Sequence, residues 1–370
     1  MPEINEWNIR KYFSSLFGPD AIVANIEELG QGFHGTSYTV TVKYSGGREK
    51  KYILKTLHAK GFGHDYPADR ANVIIRSLMD SNMLPNHIKV IDAGSIQEDN
   101  SLQSIGKPEE FFIIMDEAKG TPYWEDMDAI RDRNTLWEDD EYKIKVLADY
   151  LASIHSKKYT GENSQELYKR VVRDFIGHGE LTMGVIDTFP AKLEFVNEKD
   201  LVEIVQKMIE WWSKIKDLSH RLAEVHGDFY PGNILFNDKE LVLLDRSRFR
   251  YGDPADDVTC LAMNFINYSV LAHGEFRNPF KILLESFLEK YLKSTKDNEM
   301  MKVAPLFFVF RSLVCIHPSF YSPEWMKSRG FKDESIKNIN ANKKKIVNFA
   351  KNILNEEKFK MDKIDSYLSE

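Results

Sequence analysis

Hydrophobic and polar residues alternate near the start of the chain in a pattern typical of a β-hairpin. Apolar or aromatic residues occupy every second position of the first segment, at Tyr38, Val40, Val42 and Tyr44. Residues 45–47, Ser-Gly-Gly, predict a turn, and KKYILKTL at 50–57 predicts the returning strand. Helices are predicted at 6–17 and 68–82, and two further strands at 87–94 and 109–117.

The pattern changes at about residue 116, after which helical periodicity dominates. Helices are predicted at 140–158, in an interrupted stretch over 163–222, after residue 257, and over 342–359. In the last of these the apolar residues lie on one side, so the lysines at 343–345 are expected to form its solvated face. The chain is therefore predicted to be α+β, with a small antiparallel β lobe at 1–116 and a larger, mainly helical lobe at 117–370.

Composition and charge narrow the function classes. The 370 residues are 42% hydrophobic and 29% charged, as in globular proteins, with a formal net charge of -7. This acidic balance argues against nucleic-acid binding and is compatible with cationic substrates without establishing them. The N-terminus is too polar for a signal peptide, and the longest apolar run, at 303–310, is far shorter than a membrane span. We therefore expect a cytoplasmic protein with no membrane partner, in which Cys260 and Cys315 are buried free thiols.

A glycine pattern precedes the predicted hairpin. GQGFHG at 30–35 fits G-x-G-x-x-G through Gly30, Gly32 and Gly35. In a dinucleotide-binding fold a helix follows these glycines, whereas here a strand is predicted to follow. This order favours a glycine-rich hairpin that covers nucleotide phosphates with backbone N–H groups, as in kinases. A plain glycine-containing hairpin is the alternative.

Lys55 lies inside the returning strand, on the same face as Ile53 and Leu57. A lysine on an apolar face buries its charge, which is costly without an anionic partner. ATP phosphates and a helix carboxylate would provide that partner. The alternative is an edge lysine whose stem covers apolar surface while its ammonium group reaches water.

The segment VHGDFYPGNILFNDKELVLLDRS at 225–247 predicts a second hairpin, with its turn centred on Lys239. Asn233 and Asp245 are each six residues from that centre, so they are expected at the same open end. An amide oxygen and a carboxylate at a strand end suit Mg²⁺. Asp228, on the loop entering the hairpin, is placed to accept a proton from an attacking hydroxyl. The alternatives are a turn or cap residue for Asp228 and an Asx-turn for Asn233, and His226 is expected to hold the loop by hydrogen bonds.

The sequence resembles the aminoglycoside phosphotransferase family, which shares the protein-kinase-like fold with choline kinases. The motifs that carry the resemblance are HGDFYPGN at 226–233, an apolar hairpin that ends in Asp245, and GDPADD at 252–257. The glycine pattern, Lys55 and the FFIIMDEAKG segment at 111–120 occur in the family's order, so the resemblance covers most of the chain. It implies a bilobal protein-kinase-like fold with ATP and Mg²⁺ between the lobes.

The resemblance also implies residue roles. Asp228 would be the catalytic aspartate, Asn233 and Asp245 would bind Mg²⁺, and Lys55 would contact the ATP phosphates. Gly30, Gly32 and Gly35 would belong to the loop that covers the nucleotide. Met115, Asp116 and Ala118 would form a hinge that holds adenine. The implied reaction transfers the ATP γ-phosphoryl group to the hydroxyl of a small-molecule acceptor.

The GDPADD segment predicts the start of a helix. Asp253 before Pro254 is expected to be the N-cap. In the family the aspartate matched here by Asp257 supports the catalytic loop. Asp256 is expected to be exposed in the first helical turn, where its charge suits the helix dipole.

Two features depart from the family pattern. The helix predicted after Lys55 contains no Glu, and Asp69 is the nearest acid that could pair with the lysine. Three arginines follow Asp245, at 246, 248 and 250, and they pair either with GDPADD or with an anionic substrate. Further candidates for acceptor recognition, for which helix surface and packing are the alternatives, are Arg170, Arg173, His178, Glu180, Arg311, His317 and Tyr321.

Two other functions compete with a small-molecule kinase. A kinase acting on protein side chains is disfavoured, because the chain lacks HRD, DFG and APE in their protein-kinase form. A catalytically silent nucleotide-binding module has no need for Lys55, Asp228, Asn233 and Asp245 together. The fold does not choose among acceptors.

Overall fold

A computed structural model describes residues 5–32, 35–58, 64–80, 89–106, 118–246, 248 and 250–370. The chain forms two compact units, Met1–Met115 and Asp116–Glu370, referred to below as the N-terminal and C-terminal units.

The N-terminal unit contains two antiparallel sheets and two helices. Its elements are α1 Glu6–Phe17, β1 Ile22–Gly32, β2 Gly35–Lys43, β3 Glu49–Lys55, α2 Pro67–Asp80, β4 Gly94–Ile96 and β5 Leu102–Ser104. The larger sheet has the order β1-β2-β3, and β4 pairs with β5. The alternation in β2 turns Val40 and Val42 inward, where they pack with Ile9 and Phe13 of α1 and Val23 of β1. Burial of this apolar face holds the helix on the sheet.

Several predicted elements of this unit are confirmed, including α1, α2 and the β2–β3 hairpin. The strand predicted at 87–94 is wrong in its described part, because residues 89–93 have no strand pairing and β4 begins at Gly94. The strand predicted at 109–117 lies outside the described residues.

The C-terminal unit is mainly helical. Its helices are α3 Tyr123–Arg133, α4 Glu138–His155, α5 Ser164–Gly177, α6 Thr182–Asp187, α7 Glu198–Ile215, α8 Pro254–His273, α9 Phe280–Thr295, α10 Met300–Ile316, α11 Pro323–Ser328, α12 Asp333–Lys337, α13 Ile339–Ile353 and α14 Ile364–Leu368. Its strands are β6 Thr121–Pro122, β7 Ala223–Glu224, β8 Ile234–Asn237, β9 Glu240–Leu243 and β10 Tyr251–Gly252. They form antiparallel sheets of order β6-β8-β9 and β10-β7. The predicted α+β class, with a small antiparallel unit before a larger helical one, is confirmed.

Helix α8 forms the centre of the C-terminal unit. Every residue from Pro254 to Leu271 is buried, and α8 packs against α9 and α10. A helix that is apolar on all sides is stable only when other elements surround it. The helix begins at Pro254, directly after the predicted N-cap Asp253 and earlier than the other predicted start, after residue 257. Cys260 and Cys315 are buried free thiols, as predicted.

Helix α13 differs from the prediction at one of its lysines. Lys343 is only 2% exposed, and its Nζ lies 5.5 Å from the centre of the Phe195 ring. The predicted solvated position of Lys343 is therefore wrong. Burial lowers the pKa of its ammonium group to about 8. Over the described part of the chain, no helix combines the length and the apolar character needed to span a bilayer.

Candidate active site

The hairpin of β8 and β9 brings together the two predicted metal ligands. Ile234 pairs with Leu243 and Asn237 with Glu240, so the connecting loop is Asp238 and Lys239 alone. Asn233 therefore lies opposite Leu244, whose N–H donates to the Asn233 carbonyl at 2.9 Å. The predicted turn centre at Lys239 is wrong by half a residue. Asn233 and Asp245 still lie at the same end of the hairpin, one position apart in register.

The oxygens at this end suit a hard divalent cation. Asn233 Nδ2 donates to the Asp228 carbonyl at 3.1 Å, which directs the amide nitrogen to the protein and leaves Oδ1 as an acceptor. Asp245 is exposed and has a left-handed backbone, with φ +56°. Within the described ranges no three His, Cys, Asp or Glu side chains group as metal ligands. Mg²⁺ usually takes one or two carboxylates and completes its shell with phosphate and water, so the Asp245 carboxylate and the Asn233 amide oxygen are ligands of a type that fits it.

Local hydrogen bonds shape the Asp228 loop, residues 225–233. The Asp228 carbonyl accepts from Tyr230 N at 2.7 Å, and Asn233 N donates to the Tyr230 carbonyl at 2.8 Å. His226 Nδ1 accepts from Asp228 N at 3.3 Å, in agreement with its expected structural role. Gly227 has φ +86°, a left-handed conformation that glycine adopts without strain.

Asp257 holds the start of this loop from α8. Its carboxylate accepts the backbone N–H groups of His226 at 2.7 Å and Gly227 at 2.8 Å. His155 Nε2 lies 3.1 Å from the same carboxylate, and His155 Nδ1 lies 2.8 Å from the hydroxyl of Tyr291. Burial acts to raise the pKa of Asp257, but the hydrogen bond and charge of His155, with the contacts of His226, outweigh it and lower that pKa. Asp257 is thus a buried anion that supports the loop backbone.

Asp253 is the N-cap of α8, as predicted. Its Oδ1 accepts from Ala255 N at 2.8 Å. Arg221 donates to both carboxylate oxygens, from Nε at 2.8 Å and from Nη2 at 2.9 Å, and the Tyr168 hydroxyl donates to Oδ2 at 2.6 Å. These contacts tie the first turn of α8 to α5 and to the segment before β7.

The carboxylate of Asp228 is bound by two arginines. Arg311 Nη1 lies 2.8 Å from Oδ1, and Arg248 Nη1 lies 3.2 Å from the same oxygen. Asn233 Nδ2 approaches Oδ2 at 3.4 Å, a long contact. Asp228 is 24% exposed in its side chain. One oxygen of Asp228 is therefore fixed by guanidinium groups, while the other has only a weak protein contact.

Asp256 differs from the prediction. It is buried, not exposed, and it accepts a hydrogen bond from Nη2 of Arg311. Burial raises the pKa of Asp256 to about 6, although the charge of Arg311 acts in the opposite direction. The local helix-start pattern could not identify this contact, because Arg311 is 55 residues away.

One alternative predicted that the arginines after Asp245 pair with GDPADD. The structure shows other partners for them. Arg246 binds Glu224 at 3.2 Å and two backbone carbonyls. Arg248 binds the Asp228 carboxylate and the Gly227 carbonyl. Arg250 is exposed, with its guanidinium 5.1 Å from the ring of Tyr251.

The N-terminal unit contains the predicted glycine pattern and Lys55. β1 ends at Gly32 and β2 begins at Gly35, with Gly30 paired to Ser37, so strands flank the glycine pattern on both sides. This order excludes the dinucleotide-binding alternative, which needs a helix there. Lys55 ends β3 and is exposed, and Ile53 on the same face is 57% exposed. The argument that Lys55 lies on a buried face is therefore wrong.

The remaining predictions for nucleotide binding concern the hinge residues and Asp69, the acid proposed to pair with Lys55. Met115 and Asp116 lie outside the described residues, whereas Ala118 is described and has no regular structure. Asp69 Oδ2 accepts from Tyr66 N at 2.7 Å at the start of α2.

A model of the phosphotransferase enzyme family, APH, matches residues 88–280. The chain belongs to this family. The matched range includes the Asp228 loop, the β8–β9 hairpin and the first turn of α8, so the family match and the site geometry concern the same residues. Among curated proteins, none matches the sequence.

Solved structures that match the chain at low sequence identity include phosphotransferases. The aminoglycoside phosphotransferase APH(4)-Ia, in ternary complex with AMP-PNP and hygromycin B, is 15% identical, with 92% of this chain and 98% of that chain covered and a TM-score of 0.34. An amicoumacin kinase in complex with AMP-PNP and Ca²⁺ is 15% identical, with 93% of each chain covered and a TM-score of 0.40. A Plasmodium vivax ethanolamine kinase is 13% identical, with 90% and 84% covered and a TM-score of 0.36.

Three other candidates for acceptor recognition, Arg173, His178 and His317, make contacts within the protein. Arg173 binds Asp174, and the Nδ1 of His178 accepts from Glu180 N at 3.2 Å. Both ring nitrogens of His317 have partners, Thr188 Oγ1 at 3.1 Å and Ser319 N at 3.1 Å. These contacts agree with the packing alternative for His178 and His317.

Sequence reasoning missed the buried partners of the aspartates, which are His155, Tyr168, Arg221 and Arg311 in its contact with Asp228, and it missed Tyr291, which contacts His155. Arg311 had one detectable signal. It interrupts the otherwise apolar segment FFVFRSLVC, and a charge in a buried helix requires a buried partner. The sequence does not say which acid is that partner.

Proposed function

We propose that this protein is a phosphotransferase that moves the γ-phosphoryl group of ATP, with Mg²⁺, to a hydroxyl group of a small molecule. The observation that carries the proposal is the asymmetry of the Asp228 carboxylate beside an oxygen pair that suits a divalent cation. Arginines hold Oδ1 of Asp228, and Oδ2 has only the 3.4 Å contact with Asn233.

Residues of the C-terminal unit would orient the acceptor, accept its proton and hold the metal ion. Oδ2 of Asp228 orients the acceptor O–H and takes its proton as the acceptor oxygen bonds to the γ-phosphorus. The bond between the γ-phosphorus and the bridging oxygen breaks, and ADP leaves with that oxygen. Asn233 and Asp245 would hold Mg²⁺, which neutralises charge on the phosphates when bound.

The β lobe predicted at residues 1–116 would bind the nucleotide. Gly30, Gly32 and Gly35 lie at the tip of the β1–β2 hairpin, where backbone N–H groups can approach phosphates. Lys55 would supply a positive charge to the same phosphates, which its exposed ammonium group permits. Residues 117–370 would supply the metal ligands, Asp228 and the acceptor-binding surface.

The hinge is proposed to contact adenine through Met115, Asp116 and Ala118. The family resemblance is the support for this assignment. A nucleotide complex would test it directly.

The test is a screen for ATP consumption with Mg²⁺ against hydroxyl compounds that include aminoglycosides, choline, sugars, amino-alcohols and sugar phosphates. Asp228→Asn is the matched control, because it keeps the shape of the side chain and removes its basic oxygen. We expect one acceptor class to give a phosphorylated product, identified by ³¹P NMR, that Asp228→Asn does not form. Equal turnover by wild type and Asp228→Asn would contradict the mechanism. Tight nucleotide binding with no turnover would favour a silent module, and phosphorylation of protein substrates alone would favour a protein kinase.

A further inference from the structure

A buried group of charges joins three segments of the C-terminal unit around Asp228. Arg311 of α10 and Asp256 of α8 are each only 3% exposed, and Arg311 bridges Asp256 to the Asp228 carboxylate. The Asp228–Arg311 contact spans 83 residues of sequence. The geometry of Asp228 therefore depends on a helix far from its own loop.

The guanidinium of Arg311 holds both the side chain and the backbone of the loop. Nη1 lies 2.8 Å from Asp228 Oδ1, and Nη2 lies 3.2 Å from the Gly227 carbonyl oxygen. A planar guanidinium presents its N–H groups in a fixed fork, so these contacts restrain both position and rotation. Arg248 adds a contact to the same Oδ1, at 3.2 Å.

The first turn of α8 thus supports the loop in two ways. Asp257 binds the backbone N–H groups of His226 and Gly227 directly. Asp256 acts through Arg311, which carries the contact on to the Gly227 carbonyl and the Asp228 side chain. The two neighbouring aspartates hold opposite polar sides of the same short backbone segment.

Arg311 is badly placed to bind a substrate itself. Its side chain is 4% exposed, and both of its terminal nitrogens already contact protein oxygens. Its charge is balanced by Asp256 and Asp228, whose carboxylates outweigh burial and raise the pKa of the guanidinium. Arg311 is therefore a charged group that is occupied by contacts within the protein.

We infer that Arg311, anchored by Asp256, is a positioning residue that fixes Oδ1 of Asp228 and so presents Oδ2 to the acceptor hydroxyl. This inference rests on the proposed function, because it assigns Arg311 a role through the proposed base. Arg311 acts on the orientation of Asp228, and it is not among the residues proposed above to bind nucleotide. Its loss should lower kcat and leave the KM for ATP unchanged.

The experiment compares Arg311→Lys and Arg311→Gln with the matched control Arg221→Gln. Arg221 is 2% exposed and, like Arg311, pairs with an aspartate in the first turn of α8, but it contacts Asp253 and Asp297, not Asp228. Turnover of Mg·ATP is measured with the acceptor from the screen or, without one, with water as acceptor. Folding is checked for each variant by thermal unfolding, and rates are expressed per folded protein.

We expect Arg311→Gln to lower kcat by about 10²-fold, the scale of a misplacement of about 1 Å, with KM for ATP within about twofold of wild type. Arg311→Lys keeps the charge but not the fork, and it should recover only part of the loss. Arg221→Gln should lose stability while its kcat stays within about twofold.

The outcomes separate the inference from the function on which it rests. Turnover that needs Asp228 but survives Arg311→Gln would overturn the role of Arg311 and leave the proposed function intact. Equal losses in Arg311→Gln and Arg221→Gln would also overturn it, since they would indicate a structural role alone. Absence of any Asp228-dependent turnover in wild type would refute the proposed function, and the role of Arg311 with it.

Discussion

Two buried aspartates in the first turn of α8 are expected to change stability with pH in opposite directions. Burial raises the pKa of Asp256 to about 6, and Arg311 offsets only part of that effect. At Asp253, burial acts in the same sense, but the charge and hydrogen bonds of Arg221, with the Tyr168 hydroxyl, outweigh it and lower the pKa. Three residues apart, the two groups provide an internal comparison.

The sign follows from proton binding in the two states. Between about pH 4 and pH 6 the folded protein holds a proton on Asp256 that the unfolded chain has lost, so stability falls as pH rises through this window. The pKa moves from 3.8 to about 6, roughly two units at about 1.4 kcal/mol each, or about 3 kcal/mol in all. For Asp253 the stabilising contribution is present above its ordinary pKa and is lost as pH falls through its lowered folded value.

The assay is urea unfolding of wild type, Asp256→Asn and Asp253→Asn across pH 2 to 8, a range that includes the region below the ordinary pKa of Asp253. Relative to wild type, Asp256→Asn should gain about 3 kcal/mol in free energy of unfolding between the acidic and the neutral end. Asn at 256 still offers a carbonyl oxygen to Arg311. Asp253→Asn should be destabilising at neutral pH, with a difference that shrinks towards acid. A pH-independent difference for Asp256→Asn, or one that becomes more destabilising as pH rises, would refute the reasoning.

Three other substitutions test separate features. Asp245→Asn should weaken Mg²⁺-dependent nucleotide binding, measured by calorimetry with and without Mg²⁺, and an unchanged Kd would contradict the metal assignment. Lys343→Met should raise the free energy of unfolding at pH 6 and raise it less at pH 9, because burial lowers the pKa of Lys343 to about 8. A pH-independent difference between the variant and wild type would contradict this. Asp257→Asn should lower the free energy of unfolding by about 3 kcal/mol, since one oxygen acceptor is lost; near wild-type stability by urea unfolding would contradict this.

The parts of the molecule that the sequence predicted depend on neighbours along the chain. Alternation within β2 and the Ser-Gly-Gly turn determine the first hairpin locally. The N-cap Asp253 needs only the following Pro254 and the helix after it. The spacing of Asn233 and Asp245 required only that β8 and β9 pair, so an error of half a residue in the turn did not separate them.

The parts that the sequence did not predict depend on distant segments. Asp256 looked like an exposed first-turn acid because its partner, Arg311, is 55 residues away. Lys343 looked like part of a solvated face, yet α13 packs against α8 and α10, and Lys343 is buried beside the ring of Phe195. Lys55 shows the opposite error, because apolar neighbours on one face of a strand do not establish that another element covers that face.

The dependence of the Asp228 loop on α10 has a consequence for synthesis. Translation delivers residues 225–233 well before α10, Met300–Ile316, and domains begin to fold while the chain is still being made. Until α10 has been made and has packed on α8, Asp256 lacks its cation and the Asp228 carboxylate is not held by Arg311. A nascent chain would therefore carry all the proposed ligands for magnesium and phosphate, yet remain poorly active. The chain would become fully active only after the segment around Arg311 has packed into the core.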